Sequence, residues 1–142
     1  MDLTPPERRL NAPDPSVRLQ ALRDLLAAPG INPRPLLSTS RPGVNLHCHT
    51  IYSYNGYGYS PAALAWLAHR EGWYALGTVD FDVLDAVDET LEACQRLGLR
   101  GCAGLETRVY DPEQAAIEFN SPGEPGILYY VGLGFTASQP AV

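Results

Sequence analysis

The chain has 142 residues, 45% hydrophobic and 18% charged, a balance typical of a folded globular domain rather than a disordered segment. Sixteen acidic against ten basic side chains give a formal net charge of -6, which repels phosphate backbones and argues against a nucleic-acid partner. A membrane partner is not expected either, because the sequence contains no apolar run of about eighteen residues. Three cysteines without a framework spacing, and no leader pattern, predict a reduced, cytoplasmic protein.

Residues 1–43 are predicted to lie outside the main domain, as a tail, a helix and a linker. Residues 1–14 are polar and interrupted by proline, which predicts a poorly ordered lead-in. Apolar side chains then recur at helical spacing, and Arg18 is assigned to the solvent-facing side of this amphipathic helix. Residues 29–43 are rich in proline and serine and are predicted to be a linker.

The main domain is predicted to span residues 44–135 and to alternate strands with helices. Strands are predicted at 44–50, 74–80, 101–106, 116–120 and 127–131, and helices from Ser60-Pro61 and from Leu84. This alternation is typical of a parallel sheet in an α/β fold. Residues 136–142 form a featureless tail.

Chemically active side chains stand where three successive strands are predicted to end. His47 and His49 share one face, because alternate side chains of a strand point the same way. From this spacing alone, a metal site and two ordinary polar residues are equal alternatives. Asp80 ends the second strand and Glu106 the third, and the carboxyl ends of parallel strands gather at one edge of a sheet. We therefore expect these four residues to lie close together.

Three blocks of the chain, in this order, resemble motifs of a known family. Residues 47–56 read HCHTIYSYNG, residues 79–82 read VDFD and residues 104–106 read GLE. These blocks are similar to the H-x-H-T-x-x-S-x-D-G, T-D-H-D and G-x-E motifs of the PHP (polymerase and histidinol phosphatase) domain family. The resemblance covers about residues 44 to 135.

The resemblance implies a distorted (β/α)7-type barrel that binds up to three divalent metals and hydrolyses phosphate esters. Carried over by position, His47, His49 and Glu106 are metal ligands, with Asn55 and Asp80 as secondary candidates. Imidazole and carboxylate ligands suit Zn, Mn or Fe. The implied substrate is a small phosphorylated molecule.

The chain also departs from the family pattern at several ligand positions. Asn55 stands where the family has an aspartate or histidine, and Phe81 replaces the histidine of the D-H pair. Tyr129 and Tyr130 occupy the region of the family's next histidine. Three retained ligands are enough for one metal with an open position, so fewer ions than three are expected.

The length of the chain suits about half of such a barrel. The expected fold is therefore an incomplete PHP barrel with an N-terminal helical extension. Half a barrel exposes an unpaired strand edge and an apolar face. Three accounts fit: a fragment of a longer enzyme that lacks its C-terminal half, a truncated inactive product, or a half-barrel that self-associates.

Two functions remain as alternatives. The first is a PHP-type metal-dependent phosphoesterase, and the second is a degenerate, non-catalytic module with a structural or protein-association role.

Four further residues receive specific predictions. Tyr52 and Tyr54 either stack on a substrate or pack on the rim of the barrel. Asp80 is expected to hydrogen-bond to the ring of His47 or His49 and so orient it. Asp82 is expected to cap the following helix. Cys48 is expected to face the helices as a small core residue.

Overall fold

The computed structural model describes residues 3–31 and 43–136. Most of the predicted linker and nearly all of the predicted tail, residues 32–42 and 137–142, lie outside this part of the chain. The elements in chain order are a 3-10 helix (Glu7–Asn11), α1 (Pro15–Leu26), β1 (Gly43–Cys48), α2 (Pro61–Arg70), β2 (Trp73–Phe81), α3 (Val87–Arg96), β3 (Arg100–Tyr110), a short 3-10 helix (Pro112–Gln114) and β4 (Ile127–Leu133).

The four strands form one sheet in the order β1-β2-β3-β4. The first three strands are parallel, as predicted, but β4 runs antiparallel to β3. The predicted strand at residues 116–120 is wrong, because this segment is an exposed loop. Residues 111–126 thus connect β3 to β4 without a crossover helix, and a connection of this kind returns the chain antiparallel.

The three α-helices lie on one face of the sheet and share its core. Buried side chains from all three helices and from β2 form one cluster that includes Leu22, Trp66, Cys94 and Leu76. The fold is therefore mixed α/β, as expected, with a curled sheet that is compatible with part of an α/β barrel. No helix within the described ranges is long and apolar enough to cross a membrane.

Capping explains where two helices begin. The side chain of Asp14 accepts a hydrogen bond from the Ser16 backbone N–H (2.8 Å) at the start of α1. Ser60 accepts from the Ala63 N–H (3.1 Å) at the start of α2, so the predicted start at Ser60-Pro61 is confirmed. Helix α3 begins at Val87 rather than at the predicted Leu84, and no side chain caps it.

The N-terminal segment is docked on the helices, so the predicted poorly ordered lead-in is wrong for the residues described. Leu10 is fully buried. The carboxylate of Glu7 accepts a hydrogen bond from the indole N–H of Trp66 (2.6 Å) and pairs with Arg70 (3.1 Å). The prolines of this segment predicted disorder, but the residues between them include the buried Leu10 and the paired Glu7, which dock it on the helices.

Arg18 is fully buried, which contradicts its assignment to the solvent-facing side of α1. Its guanidinium donates to the carboxylate of Glu89 on α3 (2.5 and 2.9 Å) and to the hydroxyl of Tyr52 (2.8 Å). It also donates to the carbonyls of Ala12 (2.9 Å) and Pro13 (3.0 Å). Because every part of the guanidinium has a partner, this charge can be buried between the helices.

The other face of the sheet carries none of these three helices. Residues opposite one another in the ladder project from the same face, so Glu106 shares this face with Phe81 on β2 and with Val131 on β4. Two positions along, Arg108 and Tyr129 are opposite one another on the same face. We call this the open face.

Candidate metal centre

The two histidines and the glutamate predicted as ligands meet on the open face. The Nε2 atom of His47 lies 3.0 Å from Oε2 of Glu106, and Nε2 of His49 lies 3.2 Å from the same oxygen. The side chain of His47 is 51% exposed, whereas that of Glu106 is 8% exposed. The predicted grouping of His47, His49 and Glu106 is therefore present in the structure.

An irregularity in β1 helps to bring His47 to this point. Opposite Gly77 of β2, β1 places two residues, Leu46 and His47, where a regular ladder places one. Such a β-bulge bends the strand and changes the direction of a side chain. A Cβ atom on Gly77 would lie 2.7 Å from the Cα of Leu46, so the bulge requires glycine at this position.

Glu106 is not at the end of its strand, in contrast to the prediction. β3 continues to Tyr110 and pairs there with β4. Glu106 is nevertheless opposite Phe81, the last residue of β2. The ligand group therefore lies at the carboxyl end of β2, whereas β3 continues beyond it.

Asp80 acts on the loop after the histidines. Its two carboxylate oxygens accept hydrogen bonds from the backbone N–H and the hydroxyl of Thr50, each at 2.6 Å. Asp80 and Thr50 are both almost fully buried. Asp80 therefore holds the residue that follows His49, rather than bonding a histidine ring as we had expected.

Ser53 is a site residue that the prediction overlooked. Its hydroxyl donates to the side-chain oxygen of Asn55 (2.7 Å) and lies 3.4 Å from Nδ1 of His49. Ser53 thus contacts the imidazole of His49 through Nδ1, on the opposite side of the ring from Nε2. A histidine held through one ring nitrogen can offer the other as a metal ligand. Ser53 is the serine of the H-x-H-T-x-x-S pattern, and this pattern is the sequence feature that could have identified it.

Asn55 and Asp82 have roles different from those considered. The side-chain oxygen of Asn55 accepts a hydrogen bond from Ser53, so Asn55 is linked to His49 only through Ser53. Asp82 does not cap α3, whose N-cap is Ala86. Instead Asp82 adopts a positive φ of 58° and accepts a hydrogen bond from the Thr107 hydroxyl (2.5 Å). Aspartate tolerates this backbone conformation better than most residues.

Aromatic rings border the ligand group. The ring of Phe81 is parallel to that of His49, with centroids 5.2 Å apart and planes 5° apart. Tyr54 stacks on Phe81 at 5.0 Å, and Tyr129 meets it edge to face at 5.8 Å. Phe81 thus occupies the space beside His49 with an apolar ring that cannot bind a metal.

The two tyrosines predicted to contact a substrate have different surroundings. Tyr54 is 77% exposed. The hydroxyl of Tyr52 accepts a hydrogen bond from the buried Arg18, so this side chain links the site loop to the helices. Tyr54 is therefore the one of the pair that is open to solvent.

Cys48 points away from the ligand group, as predicted, and packs against the core on the helix face. Burial raises the pKa of the Cys48 thiol to about 11. A thiol with this pKa is protonated at neutral pH, whereas the thiolate is the form that binds metals. The three cysteines are all free.

Two of the three ligand-atom separations are near those of a tetrahedral metal centre, and the three ligand atoms all lie within 4.8 Å of one another. Ligands about 2.0–2.1 Å from a zinc ion at tetrahedral angles lie about 3.3 Å from one another. The observed separations of 3.0 and 3.2 Å are close to this value. Two imidazoles and one carboxylate also match the donor set of mononuclear sites that keep an open position. The residues present thus fit one divalent ion.

Comparison of the chain with family models, with curated proteins and with solved structures found no match.

Proposed function

We propose that this protein is a metal-dependent phosphoesterase, built on part of a PHP-type barrel, that acts on a small phosphorylated substrate. The observation that carries the proposal is the convergence of His47, His49 and Glu106 on one point of the open face. A divalent ion held there would supply Lewis-acid activation of the phosphate ester toward water. Three free cysteines support a reducing, cytoplasmic location.

Each ligand has a physical task in this scheme. His49 would be oriented by the Ser53 hydroxyl beside its Nδ1, with Nε2 toward the metal, and the carboxylate of Glu106 would balance the charge of the cation. His47 is half-exposed and stands at the solvent side of the group. A substrate would approach from this side, because the helix face of the sheet is filled by the core.

Metal binding is the first experiment. Protein stripped with a chelator is titrated with Zn²⁺ and with Mn²⁺ by calorimetry, and its melting temperature is followed. Metal at about 100 times its Kd should stabilise the fold by about 2.7 kcal/mol. His49→Ala and Glu106→Gln should each weaken binding by more than about 100-fold, beyond the loss typical of an outer partner. Cys48→Ala is the matched control and should bind metal unchanged.

Hydrolysis of an aryl phosphate is the second measurement. Turnover that rises with added metal and disappears in His49→Ala supports the proposal. Unchanged melting temperature with metal, together with no metal-stimulated turnover, would reject it.

Two observations on the same face favour a second function. Phe81 stacks on His49 in place of a further ligand, and apolar side chains remain exposed on the sheet at Val44, Val131 and Leu133. A non-catalytic module that associates through this face is the alternative. It predicts that His47→Ala and His49→Ala change no metal-dependent property, and that the protein self-associates in light scattering. A monodisperse monomer would contradict the self-association.

A further inference from the structure

The loop between β1 and α2 forms one wall of the candidate metal centre. Tyr57 and Tyr59 of this loop line a cavity of about 260 Å³ together with His47 and His49. Earlier in the same loop, the hydroxyl of Ser53 lies 3.4 Å from Nδ1 of His49. The position of the loop therefore affects both the orientation of His49 and the space beside the ligand group.

The two ends of this loop are joined to each other. The backbone N–H of Ile51 donates to the carbonyl of Tyr59 (2.9 Å), and the N–H of Gly56 donates to the carbonyl of Ser53 (3.0 Å). Ile51 is only two residues after His49. A displacement of the chain at Tyr59 would therefore also displace the residues that follow His49.

Residues of the N-terminal segment hold this loop from outside it. The side chain of Asn11 donates to the carbonyl of Gly58 (3.0 Å) and accepts from the backbone N–H of Ser60 (2.8 Å). An amide side chain carries both a donor and an acceptor, so Asn11 joins the end of the loop to the start of α2. At the beginning of the loop, Arg18 donates to the hydroxyl of Tyr52 (2.8 Å).

The N-terminal segment can support the loop because it is itself anchored to the helices. Leu10, next to Asn11, is fully buried, and its carbonyl accepts a hydrogen bond from the Ser60 hydroxyl. Glu7, in the same 3-10 helix, accepts from the indole N–H of Trp66 on α2 (2.6 Å). Asn11 thus holds the loop at a set position relative to the core.

We propose that Asn11 is a positioning residue for the metal centre, and that it acts on His49 through its contact with Gly58. This inference rests on the proposed metal-dependent function. Because Gly58 separates Tyr57 from Tyr59, loss of this contact would release the wall of the cavity and, through Tyr59, the residues that follow His49. A ligand that is held less firmly binds metal more weakly.

The metal affinity of Asn11→Ala is the first measurement. Calorimetric titration with Zn²⁺, at a temperature where the variant is fully folded, should show affinity reduced about 2- to 30-fold, the range for residues that couple to a site through others. Arg9→Ala is the matched control, because Arg9 is in the same 3-10 helix but pairs with Asp24 (3.0 Å) instead of the loop. This control should bind zinc like the unmodified protein.

Asn11→Asp separates the two contacts of this side chain. The carboxylate can still accept from the backbone N–H of Ser60, but it has no proton to donate to the carbonyl of Gly58. A negative charge by itself attracts a cation, so weaker zinc binding in this variant reports the lost contact to the loop. We expect affinity to fall in Asn11→Asp as it does in Asn11→Ala.

A spectroscopic readout distinguishes positioning from a general loss of stability. The ring signals of His49 are observed by NMR in the metal-free protein, well below the melting temperature of each variant. They should shift or broaden in Asn11→Ala and stay unchanged in Arg9→Ala. A substitution that only destabilises the fold would leave the His49 signals of the folded protein unchanged.

The outcomes separate this inference from the proposed function. If the unmodified protein binds zinc, and either the affinity or the His49 signals are unchanged in Asn11→Ala, the positioning inference is overturned while the metal centre stands. Full affinity in Asn11→Asp, or an equal loss in Arg9→Ala, also overturns it. If the unmodified protein binds no metal, the proposed function is overturned, and the His49 signals alone decide whether Asn11 positions this histidine.

Discussion

Polar side chains on the two faces of the sheet differ in the contacts that they make. On the helix face, the guanidinium of Arg18 is surrounded by acceptors, including the carboxylate of Glu89 and the hydroxyl of Tyr52. On the open face, Nε2 of His47 and Nε2 of His49 both lie near one oxygen of Glu106. The first arrangement is complete in itself. The second requires a proton on each ring or a cation between them.

This difference separates a buried charge whose partners all come from the protein from one that we propose to be a metal ligand. A donor matched to its acceptors lowers the cost of burial and fixes packing. Ligand atoms directed at one point gain the same benefit only with ring N–H groups or a metal ion between them. The comparison therefore predicts that substitutions on the helix face change mainly stability, and that those on the open face change mainly ligand binding.

The largest effect is expected for Arg18→Met. The change removes the guanidinium and leaves the carboxylate of Glu89, which is 5% exposed, without its ion-pair partner. Breaking a buried pair in this way costs about 3–5 kcal/mol. Urea unfolding should show this loss, with metal affinity of the folded protein reduced far less than by His49→Ala.

Arg9→Ala is the control for this experiment. Arg9 also forms an ion pair, with Asp24 at 3.0 Å, but both side chains are about half exposed. Its removal should hardly change the unfolding midpoint. Equal effects of the two substitutions would show that burial does not distinguish the two pairs.

An intermediate effect is expected for Thr50→Val, which connects the two faces. The substitution removes the hydroxyl that donates to Asp80 at 2.6 Å and leaves a carboxylate oxygen unpaired in a buried place. We expect a loss of about 1–3 kcal/mol in unfolding free energy. Because Thr50 follows His49 directly, metal affinity should also fall about tenfold, as for other outer partners.

Thr107→Val provides the comparison, since the Thr107 hydroxyl bonds to Asp82 in an exposed position. This variant should lose little stability and keep its metal affinity. A Thr50→Val protein that is destabilised but binds metal normally would show that the contact between Asp80 and Thr50 does not support the metal site.

Much of the candidate site could be predicted because its residues lie in strands or directly after one. Strand alternation and the gathering of parallel strand ends placed His47, His49 and Glu106 together without any contact information. The prediction for Arg18 was wrong because helical periodicity ranks residues by polarity, whereas Glu89, the partner that allows burial, is 71 residues away. The direction of β4 was missed for a related reason: the exposed loop at 116–120 has the apolar composition of a strand.

The smallest expected effect concerns acid stability and Glu7, on the helix face. Burial alone would raise the pKa of this carboxyl group, but hydrogen bonds from Trp66 and Thr4 and the charge of Arg70 outweigh it and lower the pKa below 4.5. A carboxyl group whose pKa is lowered on folding stabilises the fold at pH values above its unfolded-state pKa. That contribution disappears as the pH falls from about 4.5 through the folded-state pKa.

Glu7→Gln should therefore be less stable than the unmodified protein at pH 7, and the difference should shrink below about pH 4.5. Trp66→Phe, which removes one hydrogen-bond donor, should weaken this pH dependence without abolishing it. Unfolding free energies measured by denaturant titration from pH 7 to pH 3 test both expectations. A constant difference between Glu7→Gln and the unmodified protein across this range would mean that Glu7 contributes through packing rather than through its charge.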